Sequence, residues 1–226
     1  MQAHSAVKRY TLQAGGFAAI GMALCYISMA LIFFGLVSIP TDIDVISRIR
    51  HIQQQYGLVA WGYGCGYLLF GVLLAVLLQA LKQVLPDNQY VLAELADRFG
   101  AIWLMLMMAA GMTVLIGLEQ VFELLARDPL QAQALYHANN MLSHALGGGI
   151  ELVGGLWCLL FSLAGLNQQV LSKALHRLGV LVGCLGILTV LHTLPYLKDA
   201  FGLLQMIWFV WLGVVLLRMQ NSYASR

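Results

Sequence analysis

Apolar residues in this chain fall into long, nearly unbroken blocks, and polar residues collect in the short stretches between them. Six blocks stand out, at 11–37, 57–81, 100–118, 141–166, 178–194 and 201–217. Each approaches the ~17–25 residues an α-helix needs to cross a hydrocarbon core. None shows the two-residue alternation in ten-residue segments that marks a strand of an outer-membrane barrel. The pattern predicts an all-α, polytopic membrane protein, a bundle of six transmembrane helices forming one integral membrane domain over residues 1–226.

The connectors set an orientation. Lys8, Arg9, Lys82, Arg98, Lys173, Arg177, Arg218 and Arg226 fall on one side, and Arg48, Arg50, Arg127 and Lys198 on the other. Basic residues concentrate on the cytoplasmic face, so the N- and C-termini are expected in the cytoplasm and the chain in a bacterial inner membrane. Two outer connectors carry helical patterns of their own. Over 41–56, Ile43, Ile46, Ile49, Ile52 and Tyr56 recur on one side, with Asp44, Arg48, His51 and Gln55 opposite. That spacing predicts a short interfacial helix. Asp128-Pro129 reads as an N-cap and first-turn proline opening a second one.

Composition agrees. Of 226 residues, 61% are hydrophobic and 10% charged, and the mean hydropathy is +0.82. A soluble domain carries about a quarter of its residues charged. A net charge of +2, scattered along the chain, gives no footprint for nucleic acid. Six spans leave no room for an extramembrane catalytic module. Cys25, Cys65, Cys158 and Cys184 all lie inside apolar blocks without a CxxC spacing, and read as small buried hydrophobes. The first block is too long for a signal-peptide core and lacks an A-x-A site, so it is expected to be retained.

Polar residues within or beside the spans are the chemical candidates. In YHANNMLSHALGGGIELVGGLW, His137, Asn140, His144, Gly148, Glu151 and Gly155 recur at steps of three or four. On a continuous helix they share one face. Glu151 is the acidic residue deepest in a span, where a carboxylate must find a donor or face the bundle. A ligand pocket would use Asn140, His144, Gly148, Glu151 and His192; a metal or proton relay would use Glu119, Glu123 and His137 at the outer face. The plainer alternative makes Glu151 a hydrogen-bonded brace between helices. Gly62 and Gly66 form a GxxxG that predicts close helix packing, and Trp103, Trp157, Trp208 and Trp211 read as interface anchors or packing residues. The segments NQYVLAELADRFG and NQQVLSKALHRLG echo each other, which fits either a duplicated hairpin or two connectors meeting the same interfacial demand.

The Glu-Leu-Val-Gly-Gly-Leu-Trp stretch from Glu151, the Leu-x-x-Leu-Gly turn ending at Gly179 and the Trp-Phe-Val-Trp-Leu-Gly from Trp208 resemble the bacterial membrane family catalogued as domain of unknown function 4386. The resemblance covers residues 147–218 and implies a six-helix inner-membrane protein without implying an activity. It lends no support to a role for His192, because the segment HTLPYLKDA departs from the family's pattern there. The expected function is non-enzymatic: binding of a small or lipidic ligand, or of a membrane partner or second copy, within the bilayer and without nucleic acid or an obligatory cofactor. One alternative is a membrane-embedded enzyme or redox protein holding haem or a divalent metal at the outer His/Glu groups. The other is a small transporter.

Overall fold

A computed structural model describes residues 2–38, 43–85, 91–148, 151–191, 194 and 196–222, all helical apart from short turns. The helices are α1 (Gln2–Ala30), α2 (Val45–Gln54), α3 (Tyr56–Tyr63), α4 (Phe70–Val84), α5 (Val91–Leu125), α6 (Pro129–Ser143), α7 (Leu152–Gln168), α8 (Lys173–Leu188) and α9 (Tyr196–Ser222). Three π-helical segments, Leu31–Leu36, Gly64–Leu69 and His144–Gly148, follow α1, α3 and α6. Among the described residues, five helical stretches are long and apolar enough to cross a membrane: Val7–Leu36, Tyr56–Val84, Val91–Leu125, Pro129–Gln168 and Tyr196–Met219. The expected span at 178–194 corresponds to α8, which has 16 residues and so reaches about 24 Å at ~1.5 Å per residue. Large apolar side chains such as Phe17, Leu24, Phe34, Met105 and Ile116 stand more than half exposed, as a lipid-facing surface requires and a water-facing one does not tolerate.

Local chemistry sets the helix ends. Asp128 accepts the Leu130 and Gln131 N–H groups at 3.1 Å, with Pro129 in the first turn. Ser172 accepts the Leu175 N–H at 3.2 Å to open α8. Asp44 caps α2 through the Ser47 N–H at 3.0 Å, and the Ser47 side chain, followed by that N–H, holds its carboxyl below the usual carboxylate range. These side chains satisfy first-turn donors that a helix leaves open.

The chain packs as two compact units, one of Met1–Leu24, Gly71–Met105 and Ile150–Arg226, the other of Cys25–Phe70 and Leu106–Gly149. In the first, glycines bring backbones together. A Cβ at Gly155 would stand 2.8 Å from the backbone of Gly186 and Ile187, and one at Gly183 2.7 Å from the Leu159 nitrogen. Helices α7 and α8 therefore touch main chain to main chain, an approach that only small residues permit. Around them lie buried Trp157, Phe161, Phe201, Trp208 and Phe209.

In the second unit, Ile49 and Ile52 of α2 are buried with Ile32, Val59, Val114, Leu118, Val121, Ala132 and Tyr136. The apolar face of α2 is thus covered by protein. The GxxxG glycines of this unit meet α1 and its continuation: a Cβ at Gly62 would lie 2.8 Å from the Phe33 ring, and one at Gly66 2.5 Å from Met29 Sδ.

Candidate functional site

The sequence pattern puts His137, Asn140, His144, Gly148, Glu151 and Gly155 on one helical face, and the backbone corrects this. After Ser143 the helix loosens into the π segment His144–Gly148, Gly147 takes φ 132°, and a new helix opens at Leu152 with Glu151 as its N-cap. Glycine adopts that φ freely, and the 3.6-residue register is lost there. The buried face of α6 consists of Ala132, Tyr136, Asn139 and Ser143, while His137 and His144 are exposed and Asn140 is half-buried. Asn139, one position from the predicted Asn140, packs its amide on Gly117.

Glu119 is exposed and accepts from the Tyr56 hydroxyl at 3.0 Å; Glu123 is exposed as well. His192 lies outside the described residues. Among the described residues no three of His, Cys, Asp and Glu are grouped to hold a metal ion. Glu151 is half-buried. Its N–H donates to Thr189 Oγ1 at 2.9 Å, and that hydroxyl donates to the Gly186 carbonyl at 2.6 Å.

The first unit contains a cavity of about 330 Å³ that the sequence pattern did not indicate. Leu78, Leu81 and Leu85 line one side, Ala93 and Ala96 of α5 another, and Trp157 and Phe161 of α7 form its aromatic floor. Lys82, Glu94 and Asp97 supply the charges. Lys82 Nζ and Asp97 Oδ1 stand 3.0 Å apart, both about half exposed, and Glu94 pairs with Arg98 one turn along α5.

The floor is rigid. Trp157 lies 5.3 Å from Trp103, 5.6 Å edge-on from Trp208 and 6.1 Å from Phe161 in a near-parallel stack. Gly100 gives it room, since a Cβ there would stand 2.9 Å from the indole. Trp208 donates its indole N–H to the Leu175 carbonyl at 3.2 Å. Three of the four tryptophans read as anchors or packing are thus core residues, 0–3% exposed, whereas Trp211 is 37% exposed.

Phe161 also packs on His176, ring centres 5.7 Å apart. His176 Nε2 bonds the Val170 carbonyl at 2.8 Å, so that nitrogen carries the proton and Nδ1 presents a lone pair. Nδ1 and the Gln205 amide are buried without a hydrogen-bond partner among the described residues. His176 is thus a buried polar group packed against the floor through Phe161. Its sequence signal was faint: His176 sits among Lys173 and Arg177, where a histidine reads as an interfacial residue.

No protein-family model, curated protein or solved structure matches the chain. The site therefore rests on its own geometry.

Proposed function

We propose that this is a multi-pass inner-membrane protein that binds a small amphipathic ligand, a lipid with a zwitterionic headgroup, in the cavity floored by Trp157 and Phe161. The observation that carries the proposal is the pairing of an apolar aromatic floor with the Lys82–Asp97 ion pair at 3.0 Å. Ligand sites of this kind enclose ~300–1,000 Å³, mostly apolar, with a few placed polar groups. Opposite charges side by side suit a ligand carrying both signs. A phosphate would take Lys82 and an ammonium would take Asp97 and Glu94, while methylenes lie on the rings. An anion alone would meet two carboxylates.

In this proposal the membrane topology has six crossings, with α8 as the fifth and both termini cytoplasmic, in line with the resemblance of residues 147–218 to domain of unknown function 4386. Lys82 and Arg98 then place the cavity at the cytoplasmic end.

Calorimetric titration of the purified protein with short-chain phosphatidylethanolamine and with phosphatidylglycerol of the same chains tests the ligand. Saturable binding at one site is expected, with about a tenfold preference (~1.4 kcal/mol) for the zwitterion. Lys82→Gln together with Asp97→Asn should remove the preference and leave the fold intact. Unsaturable partitioning that ignores the headgroup would refute the proposal.

A further inference from the structure

Two carboxylates line the cavity, and both come from α5. Glu94 and Asp97 stand three residues apart, so they share a helix face with their Cβ atoms about 5–6 Å apart. Each is held by a cation through one oxygen. Asp97 Oδ1 lies 3.0 Å from Lys82 Nζ, and Glu94 Oε1 pairs with Arg98. An ionised carboxylate has two oxygens and about four lone-pair sites, so acceptor capacity remains on both. Their side chains are 42% and 53% exposed, which leaves that capacity within reach of a ligand. The aromatic floor is different. Trp157 and Phe161 are 1% and 2% exposed, stacked on one another at 16°. Trp208 stands edge-on to Trp157, and His176 packs on Phe161. The little surface they show suits a methylene, which needs only contact. A quaternary ammonium needs the open face of a ring, and neither ring offers one.

We infer, on the basis of the zwitterionic-lipid reading above, that the cavity selects its ligand at the nitrogen: it takes the primary ammonium of an ethanolamine phospholipid and discriminates against the trimethylammonium of a choline phospholipid. A primary ammonium carries three N–H donors. It can bridge Glu94 and Asp97 while the phosphate lies on Lys82, and charge-assisted bonds of this kind are about twice as strong as neutral ones. A trimethylammonium has no N–H to give. Its methyl groups would cover the two carboxylates and strip them of water without replacing the lost hydrogen bonds. A site built to bond an N–H rejects the analogue that lacks it, more sharply than an apolar pocket rejects an added methyl group.

Calorimetry on the full-length protein in detergent compares dihexanoyl phosphatidylethanolamine with its N-methyl, N,N-dimethyl and choline counterparts, and with phosphatidylglycerol of the same chains. Affinity should fall along the methylation series, by about tenfold or more from ethanolamine to choline, the loss expected for one hydrogen bond to a charged group. Glu94→Leu removes one acceptor from a half-exposed position and should narrow that gap to about threefold, because Asp97 keeps its share. Melting temperatures check that the variant is folded; if it is not, the methylation series on the unaltered protein decides. O-Phosphoethanolamine, the headgroup without chains, should bind about 100-fold more weakly than the lipid, since it buries no acyl methylenes. Equal affinity for it would overturn the lipid reading and leave the selection at the nitrogen standing. Choline lipid that binds as tightly as ethanolamine lipid or tighter, both saturably and both above phosphatidylglycerol, would overturn the selection and leave the lipid reading standing. Unsaturable partitioning of every lipid would remove both.

Discussion

The main-chain contact between α7 and α8 can be probed with one methyl group. A Cβ at Gly155 would stand 2.8 Å from the Gly186 carbonyl carbon and the Ile187 nitrogen, and 2.9 Å from the Gly183 oxygen. Carbon contacts settle at about 3.5–4.0 Å, so Gly155→Ala must push the two backbones apart by about 0.7–1.2 Å. Backbone cannot turn aside as a side chain would, and overpacking of this kind costs about 1–3 kcal/mol. The same substitution also gains about 1 kcal/mol of helix propensity, which would hide part of the loss. Gly202→Ala in α9 removes that ambiguity, because a Cβ there meets nothing within 4 Å. The propensity gain is shared, and the difference between the two variants isolates the contact. For a chain of this length each kcal/mol moves the midpoint by about 2–4 °C. Thermal unfolding in mild detergent, followed by tryptophan emission, should therefore place Gly155→Ala roughly 2–12 °C below Gly202→Ala. Equal midpoints, or a higher one for Gly155→Ala, would show that the helices do not touch there.

Two further predictions concern the start of α7 and the topology. Thr189→Val should cost about 1–3 kcal/mol, because it keeps the shape but leaves the Glu151 N–H without its acceptor, whereas Thr189→Ser should stay near the unaltered protein. The thermal midpoint and amide exchange at Glu151 report this, and equal stability of all three proteins would rule out the role given to the hydroxyl. Single cysteines introduced at Gln53 and Ser222, with Cys184 replaced by serine, should react with a membrane-impermeant maleimide from opposite sides of the membrane. Labelling of both from one side is incompatible with the six-crossing topology.

The helical, membrane-spanning character was legible in the sequence because it rests on local properties. Runs of apolar residues set the length of each span, and Asp128-Pro129 opens a helix through hydrogen bonds that reach two or three residues along the chain. The apolar face of α2 was also legible, although its partner was not. What covers Ile49 and Ile52 is a cluster drawn from residues 32 to 136. The sites were hidden for a different reason. The face assigned to His137, Asn140, His144 and Glu151 assumed an unbroken 3.6-residue period, and a π segment followed by Gly147 at φ 132° ends that period between the third and fourth of these residues. The cavity joins residues 78–97 to Trp157 and Phe161, and Gly66 meets Met29 across 37 positions. No hydrophobic period carries such pairings. They arise where glycines let backbones close to contact and where π turns rotate the side chains that follow, and both are settled only when the helices pack.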